Sequence, residues 1–219
     1  MSTLQESWKR LESEAWCSDK LLASRNDRSA KFMLLSQGAG PYKRDEYSIT
    51  VDSFPSGLSP LMYLKEFAMS PNDAVSSTIF NVANRFKKRV PGRLALGDIW
   101  DIDILGPDNG SIVLVKTSGN LVGAENVSVD TDGWFDIHTI ECEKYGTHPE
   151  CGAREFGFER LGGGVKIYTR GVSRAYMHAH RTGTPIQDRS WKSMLSGIAD
   201  VLIKHGASIQ NSDVSVARG

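Results

Sequence analysis

The sequence predicts an α+β fold in which one curved antiparallel sheet grips a long C-terminal helix. Alternating apolar and polar residues mark about six strands between residues 97 and 170. Short turns such as Gly162-Gly-Gly164 join the late strands, and strands joined in this way pair antiparallel. The last strong pattern, from Trp191 to Leu202, is a wide helical apolar stripe, which needs a surface to cover.

The composition is that of an ordinary globular protein. The chain has 219 residues, of which 40% are hydrophobic and 24% charged, and its 26 basic and 26 acidic side chains cancel. These values exclude a disordered chain, a collagen and a disulfide scaffold. The zero net charge argues against nucleic acid as a partner. We expect no membrane span, since no run of 18 apolar residues occurs. The N-terminus has no apolar signal core and the three cysteines are sparse, so we expect a cytoplasmic protein with free thiols.

We divide the chain into three parts. Residues 1–44 are predicted to form an N-terminal helical extension that packs on the domain or on a partner, and its amphipathic segment covers residues 3–24. Residues 45–207 are predicted to form the α+β domain. Residues 208–219 are polar and predicted to be a flexible tail.

Within the domain, local patterns predict the order of elements. Residues 47–51 alternate between apolar and polar, which indicates a half-buried strand. Two short helices are predicted next, because Ser59-Pro60 and Ser70-Pro71 each place a capping hydroxyl before a proline. The second would carry its apolar face through residues 75–86. The capping box Thr184-Pro-Ile-Gln187 begins the C-terminal helix.

This order, a strand, two short helices, about six strands and a long helix, resembles the helix-grip fold of the START/Bet v 1-like (SRPBCC) superfamily over roughly residues 46–205. Two segments are similar to uncharacterised bacterial members. They are Gly97-Asp-Ile-Trp-Asp-Ile-Asp-Ile-Leu-Gly-Pro107, and His148-Pro-Glu-Cys-Gly152 followed by Arg154-Glu-Phe-Gly-Phe158. The resemblance implies a cavity between the sheet and the C-terminal helix, which the N-terminal extension would plug or extend. A lipocalin-like or cystatin-like sheet is the alternative fold.

The leading functional prediction is a soluble binding protein without a cofactor, whose apolar pocket takes a hydrophobic or amphipathic small molecule. The residues predicted to line the pocket are Tyr47, Trp100, Phe135, Arg154, Phe156, Thr169 and Trp191. Two alternatives stay open. One is an enzyme of cyclase, dehydratase or hydrolase type in the same pocket, and the other is a protein–protein accessory or immunity-type module that uses the acidic region 94–150. A fold alone does not choose between them.

Arg154 is the polar residue with the sharpest prediction. It is in phase with Phe156 and Phe158, so it is predicted to face the C-terminal helix. A buried arginine needs either an acidic side chain or an anion of a ligand, which it can hold in a bidentate grip. The alternative is an arginine whose long stem carries the charge to water.

Charge is distributed unevenly along the chain. Residues 94–150 carry 2 basic and 11 acidic side chains, whereas residues 151–219 carry 10 basic and 5 acidic ones. We interpret this as acidic and basic strands that neutralise each other across the sheet. The alternative is an acidic docking surface for a basic partner. The basic stretch from Arg170 to Arg174 is predicted to pair with the acidic strands rather than to bind a phosphate.

Two further groups of side chains have the residue types of a metal site or of a cysteine nucleophile. His138, Cys142, His148 and Cys151 form the pattern H-x3-C-x5-H-x2-C. Zinc takes such ligands, but this spacing matches no common zinc motif, so we predict no metal. A cysteine nucleophile with His148 as its base is also disfavoured, because no known cysteine signature surrounds either thiol.

Two carboxylate pairs and a glycine-rich loop are further candidate sites. Asp101 with Asp103, and Glu141 with Glu143, share a strand face by alternation, and we expect both pairs to face solvent. Gly162-Gly-Gly-Val165 lies between two strands, with no helix after it. A phosphate loop needs the N-terminus of a helix, so this segment is predicted to be a hairpin turn.

Overall fold

The computed structural model of the chain describes residues 3–23, 27, 29–75, 86–92, 94–103, 109–118, 121, 132–176 and 183–219. The strands are β1 (Lys31–Phe32), β2 (Lys43–Val51), β3 (Phe86–Lys88), β4 (Ile99–Ile102), β5 (Gly110–Thr117), β6 (Gly133–Glu141), β7 (Glu150–Leu161), β8 (Gly164–Ala175) and β9 (Ser215–Arg218). The helices are α1 (Leu4–Ser13), α2 (Asp19–Ala23), α3 (Pro60–Met69) and α4 (Gly183–Lys204), and a 3-10 turn spans Leu35–Gln37.

The nine strands form one antiparallel sheet. Eight of them lie in the order β3-β4-β5-β6-β7-β8-β2-β9, and β1 pairs with β6 beside this path. The sheet is curved and unclosed, and a register shift in β5 between Leu114 and Lys116 adds to the bend. The predicted fold class, an α+β fold with a curved antiparallel sheet and a long C-terminal helix, is confirmed.

The inner face of the sheet, defined as the face that α3 and α4 cover, carries the main core. Inward residues of β2 to β8 pack there against Phe67 of α3 and against Leu195 and Ile198 of α4. Ser59 caps α3 by accepting a hydrogen bond from the Met62 N–H, with Pro60 at the first helical position, as the sequence predicts.

The outer face of the sheet is covered by the N-terminal extension. Trp8 and Leu11 of α1 pack on Val172, and Leu22 packs in a second cluster with Val113 of β5. The predicted helix over residues 3–24 is interrupted, since α1 ends at Ser13 and the next residue, Glu14, adopts a left-handed conformation with φ 46°. The extension therefore lies on the face opposite α4 and neither plugs nor extends a cavity beneath that helix.

Two predicted segments differ from the structure. Residues 71–75, where the second short helix was expected to begin, form turns, and residues 76–85 lie outside the described part of the chain. Phe86, expected on that helix, begins β3 instead, where its ring packs 5.8 Å from that of Trp100. The predicted flexible tail over 208–219 contains β9, which pairs with the free edge of β2 and so satisfies its backbone groups. None of the helices in the described segments is long and apolar enough to cross a membrane.

Candidate ligand cavity

A cavity lies between the inner face of the sheet and the first half of α4. Its empty volume is about 710 Å³ with its open mouth included, and about 80 Å³ of this admits the centre of a water molecule. One water needs roughly 10–15 Å³ of space for its centre, so the cavity is large enough for several waters or one compact ligand. The wall is mostly apolar and consists of Ile102, Ile112, Ile137, Thr139, His148, Pro149, Glu150, Gly152, Ala153, Arg154, Ser173, Gln187, Ser190 and Trp191.

The seven residues predicted to line a pocket divide into three groups. Arg154 and Trp191 line this cavity. Phe156 lines a smaller gap between α3, α4 and the sheet, with about 20 Å³ for water centres. The other four, Tyr47, Trp100, Phe135 and Thr169, are buried beside the cavity and are not part of its wall.

Three of the aromatic residues predicted to line the pocket, Trp100, Phe135 and Phe156, fill the middle of the inner face instead of leaving it open. The rings of Phe135 and Phe156 stack with their centroids 5.2 Å apart, and Trp100 lies 5.9 Å from Phe135. Aromatic rings packed in this way stabilise the fold, and they fill the space between the sheet and the helices. The cavity is therefore displaced along the sheet, toward the ends of β4 to β8 that lie beneath the start of α4.

Arg154 is held flat between a glycine and an indole ring. Gly171 is directly opposite it on β8, and a Cβ there would lie 2.6 Å from the Arg154 Nη2. On the other side, the guanidinium carbon stands 4.2 Å from the centre of the Trp191 ring. The absence of a side chain at Gly171 thus makes room for the guanidinium, and the ring attracts it by a cation–π interaction. Arg154 therefore faces α4, as its alternation with Phe156 along the strand predicts.

The charge of Arg154 is already paired within the chain. Its Nη2 donates to Asp45 Oδ1 at 2.7 Å, and its Nη1 donates to Thr169 Oγ1 at 3.3 Å. Of the two partners that the sequence left open, the structure provides the acidic side chain. Thr169 orients the guanidinium and does not line the cavity.

Tyr47 belongs to a polar cluster next to this ion pair. Its hydroxyl donates to Asp188 Oδ1 at 2.9 Å and accepts from Arg218 Nη1 at 2.8 Å, while Arg218 Nη2 bonds Asp188 at 2.5 Å. Burial raises the pKa of Tyr47 to about 12, so the phenol stays protonated. The cluster ties α4 and β9 to β2 beside the cavity.

The opposite end of the cavity wall is formed by His148 and Glu150. The Glu150 N–H donates to His148 Nδ1 at 3.1 Å, and burial lowers the pKa of His148 to about 4, which keeps the ring neutral at neutral pH. A Cβ on Gly110 would lie 2.2 Å from this ring, so the glycine leaves space for it. Lys43 Nζ donates to Glu150 Oε1 at 3.1 Å. Sequence reasoning missed Lys43 and Glu150, although each is in phase with a predicted residue, Tyr47 and Arg154 respectively.

The four residues weighed as zinc ligands have separate environments. His138 Nε2 bonds Glu14 Oε1 at 2.9 Å on the outer face, and Cys142 Sγ donates to Ser111 Oγ at 3.1 Å. Burial raises the pKa of the Cys151 thiol to about 11, which makes it a poor nucleophile at neutral pH. Across the described ranges, no three His, Cys, Asp or Glu side chains are grouped so that they could hold a metal ion.

The acidic region 94–150 is partly internal. Eight of its eleven acids lie in the described part of the chain, and four of these eight are buried, namely Asp98, Asp101, Asp136 and Glu150. Asp101, expected to face solvent, is 3% exposed and accepts hydrogen bonds from Arg89 and Lys144. These cations precede or belong to the region itself, so the predicted neutralisation by residues 151–219 is wrong for Asp101. The buried acids also remove much of the charge that an acidic docking surface would need.

Arg170, in the basic stretch, has acidic partners on the outer face. It lies within ion-pair distance of Glu46, Glu155 and Glu159. These acids belong to β2 and β7, which flank β8, and not to the acidic region 94–150. Cross-strand pairing is therefore observed, with neighbours other than those the charge distribution predicts.

The fold and the cavity define a sheet-and-helix protein with an internal space beneath its C-terminal helix. No known protein family and no curated protein sequence matches the chain. A norcoclaurine synthase point mutant from Thalictrum flavum, in complex with a transition state analogue, is similar with a TM-score of 0.49 and 12% identity over 77% of this chain and 99% of that chain. Ara h 8.0201 is similar with a TM-score of 0.40 and 11% identity over 74% and 99%, respectively. The di-domain ARO/CYC StfQ of the steffimycin biosynthetic pathway has a TM-score of 0.38 and 17% identity over 75% and 49%.

Proposed function

We propose that the chain binds a compact, mainly apolar small molecule in the cavity between the sheet and α4. The observation that supports this most directly is the cavity itself, which lies beside a densely packed aromatic core. Protein interiors are close-packed, and an apolar cleft with a few polar groups is the usual form of a small-molecule site. Membership of the helix-grip superfamily is part of the same proposal.

The paired charges of the wall favour an amphipathic ligand over an acid. The sequence left open whether Arg154 pairs with an acidic side chain or with an anion of the ligand. Asp45 already neutralises Arg154 at 2.7 Å, and Glu150 adds a second carboxylate to the wall. A ligand carboxylate would meet repulsion from Glu150 and would have to displace Asp45. We therefore expect a neutral ligand to be preferred over a carboxylic acid.

A titration with a matched pair of variants tests the proposed function. Gln187 is half-buried in the wall near the start of α4, so Gln187→Trp should fill the cavity mouth, whereas Lys204→Trp places the same side chain at the exposed end of the helix. Coumarin and 4-methoxyacetophenone serve as compact probes in two-dimensional amide NMR. We expect at least one probe to shift amides of the cavity wall in wild type and Lys204→Trp, and to lose this effect in Gln187→Trp. No shift with either probe, or shifts confined to another surface, would contradict the proposal.

We also propose a reducing compartment such as the cytoplasm. Cys17, Cys142 and Cys151 are free, and the latter two are buried. Buried free thiols are typical of proteins kept in reducing surroundings. Alkylation of the denatured protein without reductant should label all three residues, and an unlabelled pair in mass analysis would argue for an oxidising compartment.

A further inference from the structure

The last strand of the chain, β9, lies at the edge of the sheet. Its four residues pair with β2 in the registers from Ser48↔Ser215 to Asp45↔Arg218, and β9 ends the path of the sheet. Three of the four residues are exposed and the fourth is half-buried. A short edge strand with so few buried contacts opens at a lower free energy than the strands of the core.

Arg218 of β9 nevertheless reaches across to α4. Its Nη2 donates to Asp188 Oδ1 at 2.5 Å, and its Nη1 donates to the Tyr47 hydroxyl at 2.8 Å. The Tyr47 hydroxyl donates in turn to the same Asp188 oxygen at 2.9 Å. The guanidinium carbon also lies 5.1 Å from the centre of the Tyr47 ring, a distance that allows a cation–π attraction. The three side chains therefore form a closed triangle that joins β9, β2 and α4.

Asp188 belongs to the part of α4 that forms the cavity wall. It directly follows Gln187, and Ser190 and Trp191 come two and three residues later. These three neighbours all line the cavity. Residues 187–191 span little more than one helical turn, so a displacement of Asp188 moves the wall residues with it. The triangle thus holds one wall of the cavity against the sheet.

The triangle is accessible to water. The side chain of Arg218 is 52% exposed and that of Asp188 is 25% exposed. Ion pairs with such exposure contribute little to stability, because water and salt compete with them. The bonds from Arg218 can therefore be released without unfolding the core.

We propose that β9 is a releasable strap that controls the width of the cavity mouth. While Arg218 bonds Asp188, the start of α4 stays against the sheet, and when Arg218 lets go this part of the helix moves outward and enlarges the entrance. The contact of Trp191 with Arg154 is a second hold on the helix, which favours its return. The inference rests on the proposed function and adds how entry to the site is controlled. β9 contributes no residue to the cavity wall, so its release changes access without removing a contact with the ligand.

A cysteine in the wall reports the opening without any ligand. Ser190 is 3% exposed and lines the cavity, so the thiol of Ser190→Cys reacts with N-ethylmaleimide only when the start of α4 leaves the sheet. Labelling of such a buried group follows the population of the open state. Arg218→Met, added to Ser190→Cys, removes the cation and both of its bonds. We expect labelling at position 190, followed by peptide mass spectrometry, to become about tenfold faster.

Two controls separate the strap from a general loss of stability. Lys192→Met removes another exposed cation from the same carboxylate, since Lys192 Nζ lies 2.9 Å from Asp188 Oδ2. Lys192 is part of α4 itself, so this change leaves the strap in place and should leave the labelling rate unchanged. Cys142 is 2% exposed and reports opening of the whole fold, so its labelling should stay slow in every variant. Deletion of residues 215–219 should speed labelling at position 190 at least as much as Arg218→Met.

The coumarin and 4-methoxyacetophenone titrations connect the strap to the ligand. For a probe that binds, the entry rate constant from NMR line shapes should rise in Arg218→Met by the same factor as the labelling rate. An unchanged entry rate would overturn the inference and leave the proposed function in place.

The labelling outcomes are independent of the ligand. Equal labelling at position 190 with and without Arg218, or a parallel rise at Cys142, would overturn the strap and leave the proposed function in place. Absence of binding by every probe would contradict the proposed function, whereas the labelling rates would still decide whether β9 holds the wall. If Ser190→Cys fails to fold, amide hydrogen exchange of residues 187–191 in the protein with Ser190 replaces the labelling.

Discussion

Replacing Arg170 by methionine should destabilise the fold strongly, because the substitution removes the most deeply buried cation beside three carboxylates and leaves them with the more exposed Arg10 and Lys166 as counter-charges. Arg170 is 1% exposed on the outer face of the sheet. Its Nε lies 2.9 Å from Glu46 Oε2 and 3.6 Å from Glu155 Oε1, and its Nη2 lies 2.5 Å from Glu159 Oε1. Its Nη1 also donates to Ser7 Oγ at 2.9 Å, which joins the N-terminal extension to β8.

The expected magnitude follows from these contacts. Methionine retains the apolar stem but has no charge, so Arg170→Met removes a cation while three acids remain. Breaking a buried ion pair in this way costs about 3–5 kcal/mol. That is a large part of the roughly 5–15 kcal/mol by which domains of this size are stable. Arg44→Met is the control, since the Arg44–Glu12 pair is partly exposed and should contribute no more than about 1 kcal/mol.

Urea unfolding followed by circular dichroism measures both variants, and its pH dependence gives a second check. Burial acts to raise the pKa of Glu159, but hydrogen bonds from Lys166 and Arg170 hold it below its ordinary value. A carboxyl with a lowered native pKa stabilises the fold above its unfolded pKa and loses this contribution as pH falls. The difference between wild type and Arg170→Met should therefore shrink toward acid pH. A loss under about 1 kcal/mol at neutral pH, or one independent of pH, would refute the assigned network.

Three further predictions concern the inner face. Leu195→Ala should cost about 2–5 kcal/mol in urea unfolding, because Leu195 is 0% exposed, and an unchanged midpoint would contradict its place in the core. Gly171→Ala should displace Arg154 and weaken probe binding, since the new Cβ would lie 2.6 Å from its guanidinium, whereas Gly162→Ala in open space should not. Wild type should lose stability as pH falls from the ordinary His value toward about 4, because unfolding lets His148 take up a proton. His148→Asn should show a shallower loss in the same unfolding series, by up to about 3 kcal/mol, and an equal loss would reject the buried neutral ring.

The sheet and the C-terminal helix were predictable because each is encoded by local periodicity. Alternation over residues 164–170 and the helical stripe from Trp191 to Leu202 both reflect which side of a single element is buried. β9 was missed for the opposite reason. Its polar segment is ordered by backbone pairing with the edge of β2, about 170 residues away in sequence, as in the register Tyr47↔Val216. The sequence of residues 215–218 contains no signal for that partner.

A residue of the candidate site could be predicted only where alternation within a single strand determines which face of the sheet it lies on. Arg154 was placed correctly because it alternates with Phe156 on β7. Its partner Asp45 depends on the register that sets Asp45 opposite Gly171, which links β2 with β8 across more than 100 residues. The same non-local register brings Lys43 to Glu150.

Trp100, Phe135 and Phe156 were predicted to line the cavity and lie outside its wall for a different physical reason, which is volume. Alternation along the strands predicts correctly that Trp100, Phe135 and Phe156 face inward, but it does not show whether the facing rings leave a space or fill it. Their mutual distances of 5.2 and 5.9 Å show that they fill it. The remaining space lies farther along the sheet, where Gly152, Ala153 and Ser173 form part of its wall.

The N-terminal extension explains how a sheet with apolar residues on both faces holds this cavity in place. Strand β5 is buried along Ser111–Val115, with Ile112 facing the main core and Val113 facing the extension. Without α1 and α2 the outer side would expose a broad apolar surface. On β7, Arg154 faces the cavity while its neighbour Glu155 faces the ion network of α1, where Arg10 contacts it. Because adjacent residues of one strand serve both faces, the contacts of the extension fix the strand that presents Arg154, and the extension is part of the scaffold of the cavity.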